Sequence, residues 1–147
     1  MNIVQATIAH VAPTADLFNK YRMFYEQPSD LEGAKAFIQA NIENNRSQIF
    51  LLLDDAGRAV AFSQLYPMQC STAMRPIMYL SDLFVDLPAR RHGYAKALMQ
   101  FLMKNFGEQA MHRLTLETAH TNLAGQALYE SLGYEKDKVF ITYHRML

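Results

Sequence analysis

In Leu83-Phe84-Val85-Asp86-Leu87-Pro88-Ala89-Arg90-Arg91-His92-Gly93-Tyr94-Ala95-Lys96-Ala97-Leu98 a strand gives way to a short basic turn and then to a helix. Residues 77–86 carry the strongest strand signal in the chain, and Pro88, with no N–H to give a ladder, stops it. From Tyr94 onward, Leu98, Phe101 and Leu102 recur at i+4, i+7 and i+8, the stripe of an amphipathic helix. A helix starting at or near Gly93 leaves its first backbone N–H groups without intrahelical partners, and the macrodipole places partial positive charge there. A diphosphate needs such a cradle: glycine lets it approach the backbone, Ala95 adds little bulk, and Arg90 and Arg91 supply charge-assisted bonds. A solvated basic turn before a surface helix is the plainer reading of the same residues.

Working outward, residues 2–8 alternate as a first strand, and Pro13 suits the first turn of a helix running to about Tyr25 through Leu17, Tyr21 and Phe24. Ser29-Asp30-Leu31-Glu32 reads as a capping box with Ser29 as the cap, ahead of a second helix with Leu31, Ala34, Ile38 and Ile42 on one stripe, ending near Asn45. Residues 48–53 and 59–66 are strands joined by the turn Asp54-Asp55-Ala56-Gly57. After the helix at Tyr94, residues 114–118 alternate as a strand, 121–132 are helical with Gly133 as the stop, and 139–145 form a final strand. The order predicts one domain over residues 1–147, a mixed α/β fold whose last two helices each cross between parallel strands.

The chain has 147 residues, half of them apolar and 19% charged, the balance of one globular domain. Formal net charge is zero, so no basic face advertises a nucleic acid or a membrane, and no apolar stretch approaches the length of a span. The single cysteine, Cys70, excludes an intramolecular disulfide, and the start lacks the pattern of a signal peptide. Both fit a cytoplasmic protein. The five histidines show neither H-x-x-x-H nor H-E-x-x-H spacing, so no metal is expected. The many Phe, Tyr and Met residues serve either the core or a homodimer face.

Arg90-Arg91-His92-Gly93-Tyr94-Ala95 resembles the R/Q-x-x-G-x-G/A pattern of the GCN5-related N-acetyltransferase (GNAT) superfamily, with alanine where glycine is commoner. A second block, from Asn122-Leu123-Ala124-Gly125 through Leu128-Tyr129 to Gly133-Tyr134, resembles that superfamily's N-x-x-A/G-x-x-L-Y-x-x-x-G-F/Y segment. Asn122 and Tyr129 lie seven residues apart, two helical turns, so they share a face about 10 Å apart along the axis. Taken alone, Asn122 is a helix cap and Tyr129 a core aromatic with its hydroxyl at the edge.

The resemblance implies a mixed, mostly antiparallel sheet flanked by helices, with a splayed pair of central parallel strands. It implies acetyl-CoA as cosubstrate, its diphosphate on the backbone of His92, Gly93, Tyr94, Ala95 and Lys96, with Arg90 and Arg91 beside it. Backbone groups around Leu83, Phe84 and Val85 would meet the pantetheine arm and thioester oxygen, with Asn122 and Tyr129 further along. The amine acceptor would attack the thioester directly, with Tyr129 as general acid. Asp82 and Glu117, on strands bordering the cleft, are candidates for the base. Tyr79-Leu80-Ser81-Asp82-Leu83-Phe84-Val85 also resembles the corresponding strand of the superfamily's diamine acetyltransferases, which carry two adjacent acids where this chain has Ser81 and Asp82. The rival reading is a non-catalytic acyl-CoA sensor or interaction domain with the same cradle.

Overall fold

The computed structural model describes residues 1–147, which gather into two compact units, Met1–Glu117 and Thr118–Leu147. The first holds one five-stranded sheet in the order β1-β2-β3-β4-β5. The strands are β1 (Asn2–Gln5), β2 (Gln48–Leu53), β3 (Ala59–Cys70), β4 (Arg75–Val85) and β5 (Leu114–Leu116). Neighbours from β1 to β4 are antiparallel, and only β4 and β5 run parallel. Helices α1 (Val11–Phe24) and α2 (Leu31–Glu43) follow β1, and α3 (Tyr94–Glu108) makes the crossover that a parallel β4–β5 pair requires. This is the mixed, mostly antiparallel architecture expected.

β2 explains how the layers form, because QIFLLL is apolar on both faces, as a covered strand must be. Ile49 and Leu51 join Phe62 and Phe84 beneath Leu17 and Phe18 of α1 and Ala34 and Ile38 of α2. Phe50 points the other way, its ring edge-on to Phe101 and Phe106 of α3 at centroid distances of 5.4 and 6.0 Å. The Asp54 turn is set by that one side chain, whose Oδ1 accepts from the amides of Ala56 and Arg58 at 3.0 and 2.9 Å, with Gly57 at φ +77°.

Four expectations need correction. The cap of α2 is Asp30, which accepts from Gly33 N at 2.9 Å, while the Ser29 hydroxyl is taken by Asn19 Nδ2 at 3.0 Å. β3 runs on to Cys70, past Pro67, because β2 pairing ends at Gln48↔Leu65 and leaves one edge of β3 open, where no N–H is needed. Residues 139–145 form no strand; Val139, Phe140, Ile141 and Tyr143 are exposed and no ladder reaches them. Alternation supplies propensity for a strand, but a strand exists only through its partner's hydrogen bonds. β5 is therefore the last strand of the sheet, and the β4–β5 pair sits at its edge rather than its centre. No helix is long and apolar enough to cross a membrane.

In the second unit, α4 (Leu123–Ser131) is capped by Asn122, whose Oδ1 accepts from Gly125 N at 3.1 Å. It closes at Gly133, whose φ of +88° is the left-handed conformation a helix stop uses.

Candidate active site

The β4 strand and the turn after it are shaped by three local devices. Across the β3–β4 ladder Gln64 faces Asp82 but Leu65 faces Leu80, so Ser81 is an extra residue, a bulge that re-aims the strand. Pairing with β5 covers only Met78, Tyr79 and Leu80. Asp86 N–H donates to Val60 O at 2.9 Å, so by alternation the backbone groups of Leu83 and Val85 face the other edge, which no strand pairs. Of the expected triplet, Leu83 and Val85 thus offer backbone groups on that edge. Phe84 instead turns its backbone to β3 and buries its side chain in the core.

Asp86 then anchors the turn. Its Oδ2 receives Lys20 Nζ at 2.7 Å and its Oδ1 receives the Leu87 amide at 2.9 Å, opening a single 3-10 turn over Leu87–Ala89. Arg90 donates from Nε to Val85 O at 3.0 Å and lays its guanidinium over the rings of Phe24 and Phe84, 5.4 and 5.6 Å from their centroids. These contacts fix its side chain against the loop and leave the other guanidinium N–H groups unassigned. Arg91, exposed at φ +67°, makes no such contact. The His92 Nδ1–H donates to Arg90 O at 2.8 Å, and its ring stacks on Tyr94.

Gly93 caps α3 in the left-handed conformation, φ +76°, and no side chain bonds the first-turn amides. The first intrahelical bond is Ala97 N–H to Gly93 O at 3.0 Å, which leaves the amides of residues 93–96 pointing out of the helix end. A Cβ built on Gly93 would meet nothing within 4 Å. By contrast Asp30 and Asn122 cap α2 and α4 with their side chains. Uncapped amides, open space at the glycine and a basic neighbour fit a diphosphate.

Asp82 lies deep under α1 and α2, 6% exposed, and takes part in none of the chain's ion pairs. Burial pushes its carboxyl above the usual carboxylate range, against the opposing pull of hydrogen bonds from Gln64 and Ser81. Around it stand Tyr21, Tyr66 and Tyr79, all with phenols raised by burial first and by the Asp82 charge next or soon after. Glu117 is exposed beyond the end of β5, and its charge, after burial, helps to raise the Tyr79 phenol. The Tyr79 phenol thus feels the charge of both acidic candidates. Neither Gln64 nor the tyrosines Tyr21 and Tyr66 carried a local sequence signal.

In the second unit Asn122 works as a cap, with Nδ2 also donating to Thr118 Oγ1 at 3.0 Å. A Cβ on Gly125 would sit 2.5 Å from that carboxamide, so a larger residue there would push the Asn122 side chain aside. The Tyr129 carbonyl accepts from both Leu132 N and Tyr134 N at 3.0 Å, and its ring is tilted against Tyr134 at 6.0 Å. Burial, and then the neighbouring Tyr129, raise the Tyr134 phenol to about 12. His, Cys, Asp and Glu side chains form no group of three or more suited to a metal ion.

Comparison with known proteins identifies relatives over nearly the whole chain. The model of the Acetyltransferase (GNAT) family matches residues 14–134. The uncharacterized N-acetyltransferase YhfO of Bacillus subtilis (strain 168) is 43% identical over 143 residues, covering 97% of this chain and 95% of that one. A crystal structure described as a probable acetyltransferase superposes with a TM-score of 0.94 at 34% identity, covering 100% of this chain and 98% of the other. The ribosomal-protein-alanine N-acetyltransferase of Brucella melitensis biovar Abortus 2308 superposes with a TM-score of 0.82 at 18% identity over the full length of both, a likeness of fold.

Proposed function

Since the chain belongs to the GNAT family of acetyltransferases, we propose that it is an N-acetyltransferase taking its acetyl group from acetyl-CoA and giving it to the primary amine of a small molecule or peptide. The observation that carries this reading is the uncapped start of α3 at Gly93, preceded by a strand whose outer edge has no partner beyond Leu80. Acetyl-CoA supplies a thioester that a free amine attacks directly, without an acyl-enzyme.

The amides of residues 93–96 hold the diphosphate and the Arg91 guanidinium adds charge to it, whereas Arg90 keeps the turn in shape. Backbone groups of Leu83 and Val85 receive the pantetheine arm, and one N–H of the pair serves as a modest oxyanion donor. Tyr129 gives its proton, or a strengthening hydrogen bond, to the departing sulfur. With a phenol near 10 and a thiol near 8.5, complete transfer is slightly uphill, so the two descriptions are close in energy.

The acceptor must lose a proton. An ammonium of pKa about 10.4 is deprotonated about one part in a thousand near pH 7.5, a cost of about 4 kcal/mol. Asp82 is the better placed of the two acids to help: it is buried, has no counter-ion in the chain, and its raised pKa narrows the gap to the amine. A buried carboxylate without a cationic partner is costly, and an acceptor ammonium supplies that partner. Glu117, exposed at the far side of Tyr79, suits the approach of a cation.

The test is release of free thiol from acetyl-CoA against a panel of amines, from polyamines and amino acids to peptides. The reading expects at least one amine to raise release well above hydrolysis, with saturation. CoA binding without amine-dependent release across the panel would make the chain an acyl-CoA sensor.

A further inference from the structure

Gln64 is wholly buried in the middle of β3 and faces Asp82 across the ladder. A carboxamide has two ends of nearly equal shape, and which end faces a carboxyl group decides the chemistry. On its far side two groups set the choice. Gln64 Oε1 accepts from Asn41 Nδ2 of α2 at 2.9 Å and from Ser47 Oγ at 2.8 Å. With both donors on the oxygen, the Nε2 hydrogens must point the other way, and one is given to Asp82 Oδ2 at 2.5 Å. Ser81 Oγ donates to the other carboxyl oxygen at 3.1 Å, and the Tyr21 hydroxyl donates to the Ser81 carbonyl at 3.2 Å. The groups that reach Asp82 are all neutral.

We infer that Gln64, locked by Asn41 and Ser47, is a positioning residue that keeps Asp82 in the ionised, proton-accepting form facing the acceptor amine. The inference rests on the reading of Asp82 as the base. Burial alone drives the carboxyl toward its neutral form, which cannot take a proton from an ammonium. An N–H donor on Oδ2 opposes that drive. If the carboxamide turned over, its oxygen would face the carboxyl, and the contact would be favourable only with a proton on Asp82. Asn41 and Ser47 disfavour that state, because turning over would set the Asn41 Nδ2–H against another N–H and cost the Ser47 hydroxyl its acceptor. They do so from 23 and 17 residues away in sequence, with no contact to Asp82 of their own. Asn41 is held a second time, by Nδ2 donation to Tyr66 Oη at 3.0 Å, so the lock is itself braced.

The measurement is the pH profile of kcat/KM for the best amine, in the wild type, Ser47→Ala, the double variant Asn41→Leu/Ser47→Ala, and Asp82→Asn. The conservative Ser47→Thr serves as rescue. The unlocked variants are expected to move the acid limb up by about one pH unit, roughly a tenfold loss below the limb that is recovered at high pH. Affinity for acetyl-CoA stays unchanged, and Ser47→Thr restores the limb. A uniform loss at every pH, or an unmoved limb, overturns the inference. If Asp82→Asn keeps both its rate and its acid limb, the base assignment fails and this inference with it. If Asp82→Asn removes the limb while the unlocked variants leave it in place, only the positioning role fails. Should the double variant not fold, Ser47→Ala alone, at a half-buried site, decides by the same limb.

Discussion

Arg90 reaches back across the turn to donate to the carbonyl oxygen of Val85 at 3.0 Å, so the last residue of β4 and the first arginine of the loop hold each other. The two adjacent arginines therefore do different work. Arg90→Ala is expected to lose about 2 kcal/mol of stability, from one charged hydrogen bond and two ring contacts, a fall in Tm of roughly 4–8 °C. Arg91→Ala should leave Tm nearly unchanged and weaken acetyl-CoA. Thermal melts and calorimetric titrations of the two variants separate these effects; equal losses in both measurements would refute the division.

Gly93 offers a graded test of the cradle. Its φ of +76° makes any side chain strained there, although a Cβ meets no neighbour. Gly93→Ala should cost about 1–2 kcal/mol through the left-handed backbone. Gly93→Glu adds bulk and negative charge where phosphates are to sit, and should remove the phosphates' share of CoA affinity while melting close to the alanine variant.

Tyr129→Phe is expected to lower kcat by about a hundredfold with little change in acetyl-CoA affinity, the signature of a group needed mainly as charge develops on the leaving sulfur. Steady-state kinetics beside calorimetry check this. Parallel loss of rate and affinity would move Tyr129 from chemistry to binding.

Asp82 carries a pH-dependent cost. Its folded pKa lies above the ordinary 3.8, so its favourable contribution to folding is complete below about pH 3.8 and is lost as pH rises through the folded value. Removing the charge with Asp82→Asn should thus raise Tm relative to wild type at pH 8 and lose that advantage at pH 3, while acetyl transfer falls. A wild type that is more stable than the variant at pH 8 would contradict the desolvation account.

Cys70, at the end of β3, has its thiol lowered to about 7 by the Thr72 hydroxyl first and then by the Ala73 amide and Arg113, whose Nη1 lies 3.4 Å away. Alkylation by iodoacetamide should rise with a midpoint near pH 7 and shift upward in Thr72→Val. A midpoint unmoved by Thr72→Val would rule out that hydroxyl as the cause.

Much of this was legible in the chain because it is local. The Asp54 turn, the apolar β2, the glycine stop at Gly133 and the start of α3 at Gly93 each depend on neighbours within a few residues. The cap of α2 slipped by one position because Asn19, on another helix, takes both the Ser29 hydroxyl and the Asp30 amide. Gln64 and Asn41 were invisible for the same reason: an isolated glutamine in an apolar strand acquires meaning only when the ladder sets it against Asp82. The segment at 139–145 failed in the opposite direction. Its alternation states which face each side chain would take, and nothing in it states a partner.

The most direct test of the central claim is calorimetric titration of wild type and Gly93→Glu with CoA and with pantetheine, which lacks the diphosphate together with the adenosine 3′-phosphate attached to it. Binding at the start of α3 predicts that pantetheine loses more than about a hundredfold in affinity, two or more strong charge-assisted contacts. Gly93→Glu should then bind both molecules equally weakly. Equal affinity of the wild type for CoA and pantetheine, or full CoA affinity in Gly93→Glu, would contradict it.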